Sequence, residues 1–106
     1  MPTVEEIFAE MPNRIDSDKL VGLDMSILFD LSGDGGGQWT LTVADGAANV
    51  TDGPSDDPTA TLKMVASDYQ SMALGKLNPM TAFMTGKVKV EGDLSAVMKM
   101  QSFLPS

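Results

Sequence analysis

The hydrophobic spacing of this chain changes period twice, and that alternation limits the folds open to it. Val4, Ile7, Phe8 and Met11 recur at i, i+3, i+4 and i+7, the stripe of a helix with one buried face. Leu23, Met25, Ile27, Phe29 and Leu31 then alternate with Asp24, Ser26, Leu28 and Asp30, and Trp39, Leu41 and Val43 alternate with Gln38, Thr40 and Thr42. A period of two places each set on one face of a strand. Residues 32–37 read as a hairpin loop, Asp45-Gly46 as a second turn, 47–51 as a short strand and 52–58 as an acidic loop. Residues 59–65 alternate once more with Leu62 and Met64 inward, extending an antiparallel meander behind one helix.

The last third returns to helical signals. Thr3-Val4-Glu5-Glu6 at the start of the chain and Ser67-Asp68-Tyr69-Gln70 both have the form of a capping box. Gly75 closes the helix that the second box opens. Asn78-Pro79 supplies a cap and a proline for the first helical position, Met80, Phe83 and Met84 form a stripe, and Gly86 ends the turn. Residues 87–91 read as a final strand with Val88 and Val90 inward, and Asp93 caps a helix over 94–104 that Pro105 stops. On a helical wheel Ser95, Lys99 and Ser102 fill one narrow polar sector, while Leu94, Ala96, Val97, Met98, Met100, Phe103 and Leu104 spread over the rest, interrupted only by Gln101. That arc is roughly twice the ~100° a surface helix needs. The helix therefore touches something besides the sheet: an apolar ligand, a second protomer or a lipid surface.

Composition removes most chemistries. The 106 residues contain no cysteine and no histidine, which excludes a disulfide framework, a Cys/His zinc site, a thiol nucleophile and a Ser-His-Asp relay. Base catalysis would fall to Asp, Glu, Lys or Tyr69, and no pair of these is placed in a definable site, so the chain reads as a non-enzyme that needs no cofactor and no metal. A net charge of −8 argues against tracking nucleic-acid phosphates. No apolar run approaches the ~20 residues that span a bilayer, and the first residues lack a signal-peptide pattern, so a cytoplasmic location is expected. Length is that of one domain covering 1–106. Charge is uneven: residues 1–57 hold 12 acids and 2 bases, and 58–106 hold 3 acids and 5 lysines.

Two motif-like stretches do not complete their patterns. After Gly33 and Gly35 a dinucleotide fingerprint needs glycine at 38, where the chain has Gln38. Asp30 to Gly35 imitates the start of a calcium loop, but the glutamate required at position twelve is replaced by Leu41. More telling, six of the nine methionines lie between Met64 and Met100. Methionine is flexible and polarizable and suits surfaces that accept varied apolar partners. Together with the over-wide last helix this points to an adaptable apolar cavity. Arg14 and Lys19, the two bases of the acidic half, stand where a ligand carboxylate could be anchored.

The run Gly75-Lys76-Leu77-Asn78-Pro79-Met80-Thr81-Ala82-Phe83-Met84-Thr85-Gly86-Lys87-Val88-Lys89-Val90-Glu91-Gly92-Asp93, followed by Met98-Lys99-Met100, resembles the hallmark segment of the sterol carrier protein 2 family. Ser67-Asp68-Tyr69 and the glycine loop before Gln38-Trp39 match less specific features of the same family. The resemblance implies an α+β fold, a five-stranded, mainly antiparallel sheet covered on one face by helices, with an apolar tunnel between the sheet and the C-terminal helices. It implies binding or transfer of a lipid ligand such as a fatty acid or acyl-CoA, without catalysis. The expected lining is Met25, Ile27, Phe29, Trp39, Leu41, Met64, Val88 and Val90 from the sheet, with Met72, Leu77, Met80, Phe83, Met84, Met98 and Phe103 from the helices. Asn78, Pro79, Gly86 and Gly92 are expected to act as caps and turns. The chain ends Leu104-Pro105-Ser106 without a peroxisomal tripeptide, which suggests a bacterial, free-standing version, a monomer or weak dimer with transient contacts to membranes or acyl-CoA enzymes. The alternative is an interaction or homodimerisation module that uses the apolar face of the last helix.

Overall fold

The computed structural model describes residues 3–15 and 17–103, with side chains throughout except at 12, 14, 17, 79 and 101–103. Helix α1 (Val4–Arg14) is followed by a 3-10 helix (Ser17–Leu20) and strands β1 (Met25–Ser32), β2 (Gly37–Ala44), β3 (Ala47–Asp52) and β4 (Ala60–Val65). Helices α2 (Ala66–Ala73) and α3 (Pro79–Met84), strand β5 (Val88–Gly92) and helix α4 (Leu94–Phe103) complete the chain. The sheet order is β3-β2-β1-β4-β5.

β1, β2 and β3 form the expected antiparallel meander, closed between β2 and β3 by Asp45-Gly46. Both turn residues have positive φ, 54° and 75°, as a two-residue hairpin with the right twist requires. The meander does not continue into β4. That strand lies on the other side of β1 and runs parallel to it, Phe29 opposite Leu62 and Leu31 opposite Met64. Periodicity shows which face of a strand is buried; it carries no information on which neighbour the strand takes or in which direction.

The acidic segment after β3 makes this crossover possible, so it is more than the solvated loop its composition suggests. The Thr40 hydroxyl donates to the Gly53 carbonyl at 2.9 Å, and at the far end Thr59 and Ser26 exchange backbone and hydroxyl bonds of 2.8 to 3.2 Å. Thr40 and Ser26 share the sheet face opposite Phe29 and Ile27, so the connection straps across that face. Leu28, assigned by alternation to the polar side, is buried on it at 8% exposure, beside Thr40 at 3%.

The other face carries the core. Ile27, Phe29, Leu41, Val43, Leu62 and Met64 point to the helices, and Val4, Phe8 and Met11 of α1 answer them. The first capping box forms in altered detail: the Glu6 N–H donates to the Thr3 hydroxyl at 3.1 Å, and that hydroxyl donates to the Glu6 carboxylate at 3.2 Å. The second does not form. α2 begins at Ala66 directly out of β4, with Val65 at the N-cap position making no side-chain cap bond, and Ser71, one turn after Ser67, donates back to the Ser67 carbonyl. Strand continuity leaves no free loop residue there to act as a cap.

Candidate functional site

Asn78 builds the start of α3. Its side-chain oxygen accepts from the N–H groups of Met80 at 2.8 Å and Thr81 at 3.3 Å, with Pro79 in the first turn, which satisfies two donors a helix otherwise leaves open. The end of α3 is equally well defined: Lys87 N–H reaches the Ala82 carbonyl at 2.9 Å and Gly86 N–H the Phe83 carbonyl at 3.2 Å, the paired bonds of a Schellman motif. α3 is only six residues long and packs against β5. Ala82 is its buried residue at 0% exposure, while Met80, Phe83 and Met84 stand at 54%, 41% and 78%. The apolar stripe expected to bury α3 thus lies on the outer side. At 100° per residue Ala82 points opposite Met80 and Met84, with Phe83 on the flank between, and its small side chain permits the closest approach of helix to strand.

α4 divides in the same way. Asp93 precedes it, its carboxylate accepting from Ser95 N–H at 2.9 Å and from the Ser95 hydroxyl; these bonds hold its carboxyl below the usual range. Ala96, Val97 and Met100 are buried, and Leu94 and Met98 are exposed at 43% and 58%. The over-wide arc of the wheel is therefore two stripes, one against the sheet and one turned outward. Leu74, at the end of α2, adds to the exposed group. Leu74 and Leu94 were not among the expected lining residues; the signal for Leu94 was its place on the wheel beside Met98 and across from Ala96 and Met100.

The sheet residues expected to line a ligand site fall into two zones. Met25, Ile27, Phe29, Trp39 and Leu41 lie deep in the core. There the Phe8 ring stacks with Trp39 at 4.8 Å and Tyr69 at 5.0 Å and meets Phe29 edge-on at 5.1 Å, so two of these five are engaged with α1 and α2. Burial pushes the Tyr69 phenol far above its usual range, so this hydroxyl stays protonated and is no base near neutral pH. Met64 and Val88 are buried, and Met72, Leu77 and Val90 are half-buried against the core; these five lie on or beside the α2–α3–β5 end with the exposed residues of α3. Val88 and Val90 share the helical face of β5, opposite Met64 and Leu62.

Lys19 is exposed in the 3-10 helix, which packs on β3. α3 packs on β5, four strand spacings or about 19 Å across the sheet, so the structure does not bring Lys19 to the α3 end. The side chains of Arg14 and Phe103 lie outside the described residues. An open cleft of about 460 Å³ between Val21–Asp24 and Ala44–Gly46 carries Asp24 and Asp45, and none of the expected lining residues borders it. Among the described residues no helix is long and apolar enough to cross a membrane.

Asn78→Ala removes the cap of a helix in which Ala82 is the one buried side chain among those described. It is expected to cost about 0.5–2 kcal/mol, concentrated locally: amide exchange at 80–85 should accelerate while β1 and β2 keep their protection. Uniform acceleration across the sheet would show that α3 is not an independent unit.

This architecture is that of a lipid-binding domain that is generally non-catalytic. The model of the SCP-2 sterol transfer family matches residues 4–105, and the chain belongs to that family. It is 34% identical over 102 residues to hydroxysteroid dehydrogenase-like protein 2 of Homo sapiens, covering 95% of this chain and 24% of that protein. The chain thus spans about a quarter of this longer relative. Among solved structures, a stereoselective inverting sec-alkylsulfatase from Pseudomonas sp. superposes with a TM-score of 0.84 at 27% identity, over 99% of this chain and 17% of the sulfatase. A palmitated sterol-carrier-like protein from Aedes aegypti, 19% identical, shares the fold with a TM-score of 0.80 over 93% of this chain and 91% of its own.

Proposed function

We propose that this domain binds and carries the acyl chain of a fatty acid or fatty acyl-CoA in the cytoplasm, without transforming it, between the β5 end of the sheet and helices α3 and α4. The observation that carries this reading is the division of those helices. Ala82 secures α3 and Ala96, Val97 and Met100 secure α4, while Met80, Phe83, Met84, Leu94 and Met98 remain exposed beside the half-buried Met72, Leu77 and Val90. Large apolar side chains left exposed in this number are a mark of a binding site, and methionine adapts to a flexible chain. An acyl chain entering there would cover the exposed side chains of α3. The Aedes aegypti protein of the same fold carries palmitate, which supports a chain of that class.

Native mass spectrometry of the purified domain, followed by solvent extraction, tests the reading. The expected result is a monomer with an adduct of fatty-acid or acyl-CoA mass, extractable and then restored by added palmitate. The same exposed Leu94 and Met98 favour a second reading, self-association through α4. A ligand-free dimer that takes up no acyl chain would establish that reading in place of the first.

A further inference from the structure

The two edges of the sheet are not alike. β5 carries Lys89 and Glu91, and α3 packs against it. Charged side chains and a covering helix are usual means of keeping an edge from pairing with another chain. β3, at the other edge, has neither lysine nor proline, and its register with β2 runs unbroken over six pairs, without a bulge. None of its residues is buried, although Ala48 and Val50 lie on the helical face beside Val43 and Leu41, which are 0% exposed.

Pairing with β2 fixes which backbone groups point outward. The two-residue turn makes Ala44 and Ala47 a mutually hydrogen-bonded pair, and bonded and non-bonded pairs alternate from there. Thr42–Asn49 and Thr40–Thr51 are therefore bonded, and Gly53 N–H on the Gln38 carbonyl at 2.8 Å keeps the same phase. The N–H and C=O groups of Ala48, Val50 and Asp52 consequently face away from β2. Among the described residues these groups have no hydrogen-bond partner, although α1 and the 3-10 helix contact the strand.

The charge around this edge is acidic. Residues 20–62 hold seven aspartates and no base. Asp45 stands in the turn before β3, and Asp52 ends the strand. The elements packed on β3 bring Glu5, Glu6, Glu10 and Asp18 against the exposed Lys19. Asp16 and the side chain of Arg14 lie outside the described residues. A second copy of this chain would meet the same acids, so the charge favours a basic partner.

From these features we infer that the outer edge of β3 receives an extended segment of a partner protein, rich in lysine or arginine, which adds to the five-stranded sheet as a further strand. Its backbone would take the outward N–H and C=O groups of Ala48, Val50 and Asp52. Its apolar side chains would lie beside Ala48 and Val50, and its cations beside Asp45 and Asp52. β3 and β5 are four strand spacings apart, about 19 Å, so this edge is separate from the acyl site proposed above and does not depend on it.

The end-blocked, fluorophore-labelled peptide Lys-Val-Thr-Val-Thr-Val-Lys serves as the probe. In fluorescence anisotropy it is expected to bind about tenfold more tightly than the same peptide with glutamate for lysine. Raising salt from about 0.1 M to about 0.5 M should weaken it severalfold. At saturation, amide exchange should slow at Ala48, Val50 and Asp52 and stay unchanged at Asn49 and Thr51, which already bond to β2. Val50→Pro removes an outward N–H and no bond to β2, at an edge position that admits proline, and should weaken binding about tenfold. N-methylation of the peptide's valines, whose nitrogens face β3, should abolish binding, while N-methylation of its threonines should leave it within about twofold; this arm leaves the protein unaltered. Asp45→Asn with Asp52→Asn should weaken the lysine peptide severalfold. No binding of that peptide, equal binding of the glutamate peptide, or equal effects of the two methylations would overturn the inference. So would light scattering that shows a dimer strengthened by salt and lost in Val50→Pro, since the edge would then belong to a second copy. Palmitate should leave peptide binding within about twofold, and displacement by palmitate would overturn the placement at β3. Peptide binding intact in a domain that takes up no palmitate would remove the carrier reading and leave this one standing.

Discussion

Phe8→Ala is expected to destabilise the domain by about 3–5 kcal/mol, a large share of the ~5–15 kcal/mol typical of a whole domain. Phe8 is 1% exposed, and its ring meets Trp39, Tyr69 and Phe29 within 5.1 Å. Removing it opens a void walled by three aromatic rings, which are too rigid to collapse into it, and removes the offset and edge contacts that add to simple burial. α1 is the element that suffers most, because Phe8 is its deepest anchor on β1 and β2. Phe83→Ala serves as the contrast. Phe83 is also aromatic, yet 41% exposed on α3, and its loss should cost about 1 kcal/mol or less, since little area returns to water. Urea unfolding of both variants checks the pair. Equal losses would mean that the α3 face is as much core as the aromatic cluster.

Palmitate is expected to raise the melting temperature of the delipidated domain by about 10 °C at a free concentration a hundred times Kd. That figure follows from ~2.7 kcal/mol of linkage stabilisation and the ~4 °C per kcal/mol of a domain this size. A dry void of about 300 Å³ would cost ~7 kcal/mol at 24 cal/mol per Å³, so a domain this small cannot hold an empty tunnel open without large loss. Each methylene buried recovers up to ~0.8 kcal/mol. The shift should therefore grow with chain length from octanoate upward and level off once the chain outgrows the site. Identical melting curves with and without palmitate, and no displacement of a fluorescent acyl probe, would sink the carrier reading.

Much of the fold was legible because its signals are local. The Thr3 cap, the Asp45-Gly46 turn, the Asn78-Pro79 start and the Gly75 and Gly86 ends each depend on a few adjacent residues, and each forms at the expected place. What misled was local chemistry overruled by distant partners. Ser67 to Gln70 has the form of a capping box, but β4 runs straight into α2 and pre-empts it. Leu28 sits in the polar register of β1, but the strap from Gly53 to Thr59 buries it.

The candidate site divides along the same line. Sequence by itself determined which residues are apolar, which helix has too wide an apolar arc, and that no histidine or cysteine chemistry is available, since these follow from composition and period. Only the tertiary structure decided which apolar residues are engaged by other core side chains. Phe29 and Trp39 are joined to Phe8, twenty-one and thirty-one positions away in the chain, whereas Met80, Phe83, Met84 and Met98 remain exposed. Hydrophobicity is a property of each side chain, but burial is a property of what the crossover, the parallel β1–β4 pair and the two short helices bring against it.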